Sequence, residues 1–427
     1  MMKVLATIVV PPHMSVSGGA RAAELLSASL AEHCDITVAS MMNGEGLPAK
    51  DGGRVPARIK VRSWLPPLVP WSKFSNRYST LFYRSDLPKI VREGKFDLVH
   101  IHNPMPALEM ECVARACAAV GAPYVVSTHG FNEVANGEEI YGFGGLKRLA
   151  WKTLVAAPVA RVVARADAIF ALSPADFGIV REMGFAGPEL KVVTNGVPIP
   201  DLAPSQGNAA ILDRLGISPA KDAGQITCMF LGNHTPNKGL PILLKAFAAL
   251  ERPYLLIVGG ERRPDIDYDQ YLHGNRPGQR IVITGRLSDE DIRAALIRTD
   301  LFIFPTLADT FPLVVLEAMA HGVPVLASRV GGIPHQLTED CGVLVEPGDV
   351  SALRSAVDTL AEQPDRLAAM GRNARLRAAT QFTWRQAARN AFDAYRRILQ
   401  QRSVTHSGRS AAMRERTGPQ RAFERGY

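Results

Sequence analysis

Short apolar runs alternate with helical patterns along the whole chain, and this alternation restricts the fold more than any other feature. In the first half, strand-like runs lie at residues 4–9, 36–39, 59–61, 98–101, 124–127, 168–171 and 192–194. In the second half they lie at residues 227–231, 255–258, 281–284, 301–304, 324–327 and 343–345. Such an order predicts an α/β protein in which helices cover parallel sheets.

The length of 427 residues predicts two domains. A glycine- and proline-marked stretch at 198–224 separates the two series, so we expect Rossmann-like domains at 1–200 and 201–382 that face one cleft. Residues 383–400 form a predicted helix with Trp384, Ala388, Phe392 and Tyr395 on one face. Residues 401–427, rich in Ser, Arg, Gly and Thr, are predicted to be a disordered basic tail.

The composition indicates a globular cytoplasmic protein. Apolar residues make up 47% of the chain, yet no apolar run reaches the ~18 residues that cross a bilayer. The N-terminal apolar stretch is too short before its prolines to be a secretory signal and predicts the first strand instead. Five scattered cysteines without a C-x2-C pair favour neither disulfides nor a zinc site, and they predict a reducing compartment.

The net charge of +8 is unevenly distributed. Residues 54–95 contain ten Lys or Arg against two acids, and six aromatic residues are interleaved with them: Trp64, Trp71, Phe74, Tyr78, Phe82 and Tyr83. Residues 147–165 add five basic residues and no acid. This mixture suits an anionic membrane surface at the inner face of the membrane. Ordinary solvated surface is the alternative, and without a recognised module for it we expect no nucleic acid partner.

Two acids eight positions apart mark the most informative segment, residues 306–328. Pro312 is expected to open a helix that stops at Gly322, which places Asp309 on the preceding loop and Glu317 in the second turn. Free N–H groups at the start of this helix favour a diphosphate. Glu317, among apolar neighbours, would need hydrogen-bond donors such as a ribose diol. The alternative is that Glu317 is only the solvent edge of the helix.

A second candidate phosphate loop runs from Gly232 to Gly239. It follows a strand and precedes a helix, so its glycines and Lys238 can approach phosphate closely. Arg262 or Arg263, after the strand that ends near Gly259, could add positive charge, although a solvated pair of arginines is the alternative.

Together these motifs resemble the GT-B-fold retaining glycosyltransferases of family 4. The 309–317 pair is similar to the Glu-x7-Glu signature of that family, with Asp309 in place of the first Glu. Further matching motifs follow one another in order along the chain: the glycine loop at Gly18 and Gly19, HIHNP at 100–104, STHG at 127–130, TNGV at 194–197, GNHTPNKG at 232–239 and VGGIP at 330–334. The resemblance implies an N-terminal domain that binds the acceptor, a C-terminal domain that binds a nucleotide sugar, and a terminal helix that crosses back to the first domain.

The resemblance also implies roles for individual residues. Its catalytic set is His129, Lys238, Asp309 and Glu317. Lys238 would stabilise the leaving group and Asp309 would hold donor-sugar hydroxyls, whereas Asn233 stands where the family usually has Arg. The implied donor-binding residues are Gly18, Gly19, Gly232, Asn233, Gly285, Arg286, Leu287, Thr310, Phe311, Pro312 and Leu313. His102 and Asn103 are weaker acceptor candidates, and Asn195 and Gly196 are interpreted as a turn.

The predicted function is therefore metal-independent, retaining transfer of a sugar from a nucleotide-diphosphate donor to a lipid-linked or polysaccharide acceptor, with no cofactor. A catalytically inactive sugar-nucleotide sensor or partner subunit on the same fold is the alternative, because Asn233 and Asp309 depart from the family pattern. A nicotinamide dehydrogenase is disfavoured because G-x-G-x-x-G is missing after the first strand.

Overall fold

Two parallel sheets, each covered by helices, make up the structure, which confirms the predicted fold class. The computed structural model describes residues 1–13, 17–42, 54–67, 69, 71, 79–202, 207–218, 224–263, 266–272 and 276–416, with the backbone alone for 272 and 405–416. Phe74 and Tyr78 of the basic, aromatic-rich stretch lie outside these residues.

The first sheet has seven strands in the order β3-β2-β1-β6-β7-β8-β9, and every pair is parallel. Its strands are β1 Lys3–Ile8, β2 Asp35–Ser40, β3 Ala57–Lys60, β6 Leu98–His102, β7 Tyr124–Ser127, β8 Ala168–Ala171 and β9 Leu190–Val192. A short antiparallel pair that the sequence did not predict, β4 Ser63–Trp64 and β5 Arg84–Ser85, lies beside it.

The second sheet has six parallel strands in the order β12-β11-β10-β13-β14-β15. Its strands are β10 Ile226–Leu231, β11 Tyr254–Gly259, β12 Gln279–Gly285, β13 Leu301–Phe304, β14 Val325–Ser328 and β15 Gly342–Val345. All thirteen predicted strand positions overlap strands of the two large sheets. Their runs of buried apolar residues are what parallel strands covered on both faces require.

Helices connect the strands. Those of the first half are α1 Gly18–Leu30, α2 Leu87–Glu93, α3 Ala107–Val120, α4 Phe131–Ile140, α5 Gly145–Trp151, α6 Ala157–Ala164 and α7 Asp176–Glu182. Those of the second half are α8 Gly207–Arg214, α9 Leu240–Ala248, α10 Asp269–Leu272, α11 Asp289–Arg298, α12 Leu313–Ala320, α13 Ile333–Gln336, α14 Val350–Ala361, α15 Pro364–Gln381 and α16 Trp384–Arg416. Among the helices that the structure describes, none combines the length and the apolar character needed to span a bilayer.

The strand orders fix where a ligand can bind. In the first sheet β1 pairs with β2 on one side and β6 on the other, and in the second β10 pairs with β11 and β13. Connections leave in opposite directions at each of these points, so a crevice opens beyond the carboxyl ends of the strands. The loops after β1, β6, β10 and β13 carry most of the candidate residues, and the topology therefore brings them to two crevices.

The terminal helix α16 returns to the first domain, as the fold prediction requires. Its apolar face, Ala387, Ala388, Ala391, Ala394, Tyr395 and Ile398, is buried in one core cluster with residues of β1, α1 and β8. The Tyr395 hydroxyl is also 2.7 Å from Nδ1 of His100. The packing of this helix therefore links the end of the chain to the strand that precedes Asn103.

The helix does not end at residue 400, where the sequence predicts a disordered tail. The backbone stays helical to Arg416. Arg402 donates hydrogen bonds to Asp167 at 2.8 and 3.0 Å and to the Gly121 carbonyl at 2.8 Å. These partners are distant in sequence, so composition alone could not reveal them. Residues 417–427 of the predicted tail lie outside the described residues.

Candidate functional site

The centre of the candidate site is an ion pair between two loops of the second domain. Nζ of Lys238, on the loop after β10, is 2.6 Å from Oδ2 of Asp309, on the loop after β13. The two side chains are only 22% and 16% exposed. Burial by itself lowers the pKa of Lys238, but the carboxylates of Asp309 and Glu133 outweigh it, so the pKa lies above its ordinary value. A permanently charged ammonium is therefore held at the second crevice.

The two loops are also joined through their backbones. The Asn237 carbonyl accepts hydrogen bonds from Oγ1 of Thr306 and from the backbone N–H of Leu307, both at 2.7 Å. Gly239 has φ +74°, and a Cβ there would lie 1.8 Å from the Pro305 carbonyl oxygen. Because only glycine permits this approach, the position of Lys238 relative to Asp309 depends on Gly239.

Glu133 of the first domain reaches the same centre, and sequence reasoning missed it. Its Oε1 accepts a hydrogen bond from Nδ2 of Asn237 at 3.4 Å. Burial raises the pKa of Glu133, Lys238 lowers it and Asp309 raises it further. The contact with Asn237 spans 104 positions of the chain. No local pattern marks this carboxylate, since Asn237, Lys238 and Asp309 come from the other domain.

Three buried histidines of the first domain pack against one another. The ring centroids of His100 and His102 are 3.8 Å apart, and those of His102 and His129 are 5.8 Å apart. His100 contacts the Ser127 hydroxyl at 2.8 Å through Nε2, whereas both ring nitrogens of buried His102 lack a hydrogen-bond partner in the described chain. Burial lowers the pKa of His129 to about 4 and that of His100 to about 3, and it lowers the pKa of His102 well below its usual value.

We expect the stacked histidines to make the protein less stable in acid. A histidine that stays neutral when folded but binds a proton near pH 6.5 when unfolded contributes nothing above that pH. Below it, each of the three should remove about 1.4 kcal/mol of unfolding free energy per pH unit, down to roughly pH 4. Denaturant titrations at pH 7, 6 and 5 measure this slope. His102→Phe should reduce this slope by the share of one histidine, about 1.4 kcal/mol per pH unit. An unchanged slope would contradict the interpretation.

The glycine loop meets the acceptor candidates at the first crevice. A Cβ on Gly19 would lie 2.3 Å from Nδ2 of Asn103 and 3.3 Å from Cβ of His129. Asn103 has φ +68° and is buried, as is His129. Gly18 is different, because nothing lies within 4 Å of a Cβ built there. The structure thus brings Gly19, Asn103 and His129 together and leaves the space beside Gly18 open.

Helix α12 is shifted by one residue from its prediction. It begins at Leu313, with Pro312 as an extended N-cap at ψ 126°, and ends at Ala320. Among the residues that the structure describes, no side chain caps its first turn, so the N–H groups there stay available for a ligand. Thr310, Phe311 and Pro312 are buried, and Leu313 is half-buried.

Glu317 lies in the second turn of α12 and is half-buried. Burial raises its pKa, and the nearby charge of Arg21 lowers it. Arg21, three residues into α1, donates two hydrogen bonds of 3.1 Å to Asp289 at the start of α11. This ion pair joins the two domains near Glu317. No hydrogen-bond donor to the Glu317 carboxylate is found among the described residues, which leaves it available for a ligand.

The VGGIP motif and Asn195 support the loop before α12. The Gly332 N–H donates to the Thr310 carbonyl at 2.7 Å, and a Cβ on Gly331 would lie 1.9 Å from the Asp309 carbonyl oxygen. Asn195 is not the turn residue that the sequence predicts. It is buried and donates to the Phe311 carbonyl at 3.0 Å, since the first domain ends directly against this loop.

Gly196 likewise marks a close approach of two segments rather than a turn. A Cβ there would lie 2.3 Å from the backbone nitrogen of Trp384. The adjacent Val197 N–H donates to the Phe382 carbonyl at 2.8 Å. The two chain segments that pass between the domains therefore run side by side, and a larger side chain at 196 would separate them.

The remaining donor candidates lie around the end of β11. The Gly232 N–H donates to the Gly259 carbonyl at 3.1 Å, and the Gly260 N–H donates to the Gly285 carbonyl at 2.8 Å. Leu287 packs on the core of the second domain. Arg286 pairs with Glu261 at 2.7 Å on the exposed surface. These residues form one rim of the crevice, whereas Asn233 is simply exposed.

Arg262 and His234 occupy the same rim. The Arg262 guanidinium lies 5.3 Å from the ring centroid of Tyr268, whose hydroxyl is 2.7 Å from Nδ1 of His234. His234 is buried, and its Nε2 has no hydrogen-bond partner in the described chain. The sequence did not single out His234, although it lies within the 232–239 motif. Arg262 is thus placed beside that loop, but it is held on an aromatic ring at the surface.

Family models match both halves of the chain. A model described as Glycosyltransferase Family 4 matches residues 16–199, and a model described as Glycosyl transferases group 1 matches residues 225–363. The unmatched residues between them coincide with the segment that separates the two series of strands.

Several characterised proteins are similar over most of their length. The D-inositol 3-phosphate glycosyltransferase of Streptomyces avermitilis is 30% identical, and the match covers 72% of this chain and 67% of that protein. The MMP alpha-(1->4)-mannosyltransferase of Mycolicibacterium hassiacum is 25% identical, with 81% of each chain covered. The family models and the sequence relatives thus agree on one group of enzymes.

Solved structures share the fold. Sucrose-phosphate synthase from Thermosynechococcus elongatus superposes with a TM-score of 0.70 at 19% identity, covering 94% of this chain and all of that one. HepE from Anabaena, solved in complex with UDP-glucose, superposes with a TM-score of 0.66 at 20% identity, covering 95% of this chain and all of the other. At these identities the agreement concerns architecture.

Proposed function

Since this chain belongs to the glycosyltransferases of family 4, we propose that it transfers a sugar from a nucleoside-diphosphate donor with retention of anomeric configuration. We further propose that the acceptor is a lipid-linked saccharide or a polysaccharide and that no metal or cofactor takes part. The nucleotide-sugar donor would bind in the second crevice, and the acceptor in the first.

One observation carries the proposal, namely the 2.6 Å contact between Lys238 and Asp309. It places the ammonium of one candidate phosphate loop directly beside the loop that leads into α12. An ammonium and free helix N–H groups are two groups with which proteins hold a diphosphate without a metal. If the two loops lay apart, the ammonium and the helix N–H groups could not bind the same diphosphate.

The carboxylates around this centre suit the sugar and the nucleoside. Glu317, further along α12, has oxygens free to accept two hydrogen bonds from a ribose diol. Asp309 is paired with Lys238, so it serves first to position the ammonium. Its second oxygen and the half-buried Glu133 can accept from sugar hydroxyls. The one-carbon shortening of Asp309 relative to Glu then affects which sugar fits.

The chemistry follows from where charge develops. Breaking the bond between sugar and diphosphate makes the anomeric carbon positive and the departing phosphate negative. Lys238 and the first turn of α12 would stabilise the phosphate, while neutral His129, with its lowered pKa, would donate or accept a hydrogen bond without adding positive charge. The acceptor hydroxyl would attack from the face that the phosphate leaves, and the phosphate would take its proton.

We place this reaction in the cytoplasm at the inner face of a membrane. All five cysteines are free thiols. Leu146 and Leu149 of α5 are 81% and 58% exposed beside Lys147, in one of the two basic stretches. Exposed leucines next to basic side chains suit an anionic lipid surface. Flotation with anionic vesicles tests the membrane part, and protein that stays unbound at low salt would refute it.

A donor screen tests the function itself. Purified protein incubated with UDP-, GDP- and ADP-sugars in the presence of EDTA should release nucleoside diphosphate, and an acceptor should speed the release. The anomeric proton signals of the product should show the donor configuration. A requirement for Mg²⁺ or Mn²⁺ would refute metal independence, and an inverted product would refute retention.

At a donor concentration near the Kd of the parent protein, Glu317→Ala should abolish the thermal stabilisation that the donor confers. The carboxylate has no other hydrogen bond in the described chain, so its loss should cost little folding free energy but should weaken donor binding about tenfold to a hundredfold. Melting curves with and without donor measure the effect. Glu290→Ala, at the exposed start of α11, is the matched control. Equal stabilisation of Glu317→Ala and the parent protein would rule out the assigned role.

A further inference from the structure

A cavity on the first domain is separate from both crevices. Its volume is about 360 Å³, and its walls come from the β4–β5 pair and from helices α2 and α3. The lining side chains that matter here are Trp64, Arg84, Arg92, Glu109 and Arg115. None of them was a candidate for the transfer reaction. A volume near 360 Å³ is at the lower end of the range for small-molecule sites.

The fold builds this cavity from residues far apart in sequence. Trp64 and Arg84 are direct cross-strand partners in the β4–β5 pair. Ser85 then fixes the pair to α3, since its N–H and hydroxyl donate to Oε1 of Glu109 at 3.0 and 2.6 Å. Glu109 is 1% exposed. The aromatic ring and the guanidinium are therefore held on a supported strand pair and not on a free loop.

The cavity carries excess positive charge. Three arginines face one carboxylate, and one oxygen of that carboxylate already accepts two hydrogen bonds from Ser85. Nη1 of Arg84 is 3.7 Å from Oε2 of Glu109, and it is buried without a hydrogen bond in the described chain. Arg92 is exposed at the end of α2, and within the described ranges it forms no ion pair.

Arg115 is the one of the three arginines that already has a carboxylate partner within 3 Å. It pairs with Glu111 at 2.7 Å, and Glu111 is shared with Arg161. Arg84 and Arg92 are therefore the groups that an anion in the cavity would meet first. Trp64 is 46% exposed at the mouth, where its ring offers a flat apolar face.

We propose that this cavity binds an anionic sugar, namely a hexose-sized ring that carries a phosphate or a carboxylate. Arg84 and Arg92 would hold the anion, because guanidinium groups match the geometry of both phosphate and carboxylate. The Trp64 ring would pack against the apolar face of the sugar. A free ligand of this chemistry and the charged residue of a longer glycan would make the same contacts.

The proposal also deepens the proposed function, on which its second part rests. Helix α3 begins four residues after Asn103, and Glu109 lies in its first turn. The cavity therefore adjoins the acceptor side of the cleft, and it would serve as a remote subsite for an anionic acceptor. Binding itself needs no donor, so it can be measured apart from transfer.

Calorimetric titration of the full-length protein without donor tests the binding. Glucose 6-phosphate and glucuronate should bind, and glucose should not. Arg84→Gln and Arg92→Gln should each weaken glucose 6-phosphate about tenfold or more. Trp64→Ala should weaken glucose 6-phosphate but not inorganic phosphate, since the latter has no ring, and Trp64→Phe should restore part of the loss. Arg354→Gln, an exposed helical arginine of the second domain, is the control and should change nothing.

Three outcomes would overturn the proposal. The first is glucose binding as strong as that of glucose 6-phosphate. The second is wild-type affinity in both arginine variants while their melting temperatures and donor turnover are normal. The third is binding of phosphatidylglycerol vesicles that requires both arginines and that glucose 6-phosphate fails to compete, which would make this face a membrane contact. If the parent protein binds glucose 6-phosphate in the cavity but transfers no sugar from any donor, the proposed function is refuted and the proposed cavity site is not.

Discussion

Replacing Lys238 with methionine should slow sugar transfer about 10²- to 10³-fold, which is the range observed when one preorganised charge stabiliser is removed from an active site. Methionine keeps the length and apolar stem of lysine but has no ammonium. The raised pKa of Lys238 means that this ammonium is charged throughout the neutral range. The loss should appear mainly in kcat, because the negative charge on the leaving phosphate grows toward the transition state.

The fold should survive this substitution, so circular dichroism and the melting temperature serve as checks. Lys245→Met, on an exposed position of α9, provides the matched control and should retain full activity. Asp309→Asn should also impair transfer, since it removes the partner 2.6 Å from the ammonium. The double variant should lose less than the sum of the two single losses, because the two groups act as a unit. Near-parental kcat in Lys238→Met would refute the assigned role.

Gly239→Ala should destabilise the protein by about 3–5 kcal/mol, a cost in the range of severe backbone strain combined with a steric clash. The backbone at Gly239 has φ +74°, which side-chain-bearing residues rarely adopt. The new Cβ would also lie 1.8 Å from the Pro305 carbonyl oxygen. Since Pro305 leads into the loop that carries Asp309, the loops must separate. Equilibrium unfolding in urea measures the cost, and donor turnover should fall with it.

Gly121→Ala is the control that separates the cost of backbone strain from the cost of a steric clash. Gly121 ends α3 with φ +68°, but nothing lies within 4 Å of a Cβ built there. It should therefore cost only about 1 kcal/mol, the amount expected for a left-handed residue alone. Equal destabilisation by the two alanines would show that the contact with Pro305 does not restrict the loop.

The expected effects at Lys238 and Gly239 depend on one physical arrangement. In the proposed mechanism, Lys238 meets the leaving phosphate only if its loop lies against the loop after β13, and Gly239 is the residue that allows this contact. Asp309 pairs with the ammonium of Lys238 at 2.6 Å. A diphosphate would compete for the hydrogen-bond donors of Lys238, which has three. Asp309 therefore both positions the lysine and limits how strongly an incidental anion is held.

Much of the architecture could be predicted from the sequence. Apolar runs and glycine or proline breaks are local signals, so they predicted all strands of the two large sheets and the two-domain order, whereas the return of the terminal helix to the first domain was implied by the family resemblance. The loops after β10 and β13 could also be predicted as candidate phosphate sites, because a glycine-rich turn that begins a helix has the same chemistry wherever it occurs. Glu317 was identified because a carboxylate in an apolar stretch is unusual, and Asp309 because it takes the place of the first acid in the family signature.

Only the tertiary structure decided which of these groups meet. Glu133 reaches Asn237 across 104 positions, Asn195 holds the Phe311 carbonyl across 116, and Tyr395 reaches His100 across 295. The arginine-lined cavity likewise depends on a two-residue strand pair that no periodicity predicts. The physical reason is that hydrophobic periodicity depends on the nearest few residues, whereas a hydrogen bond or ion pair between domains depends on how two separately formed sheets pack. Helices and strands can therefore be predicted from local sequence, whereas contacts between the domains are seen only in the folded structure.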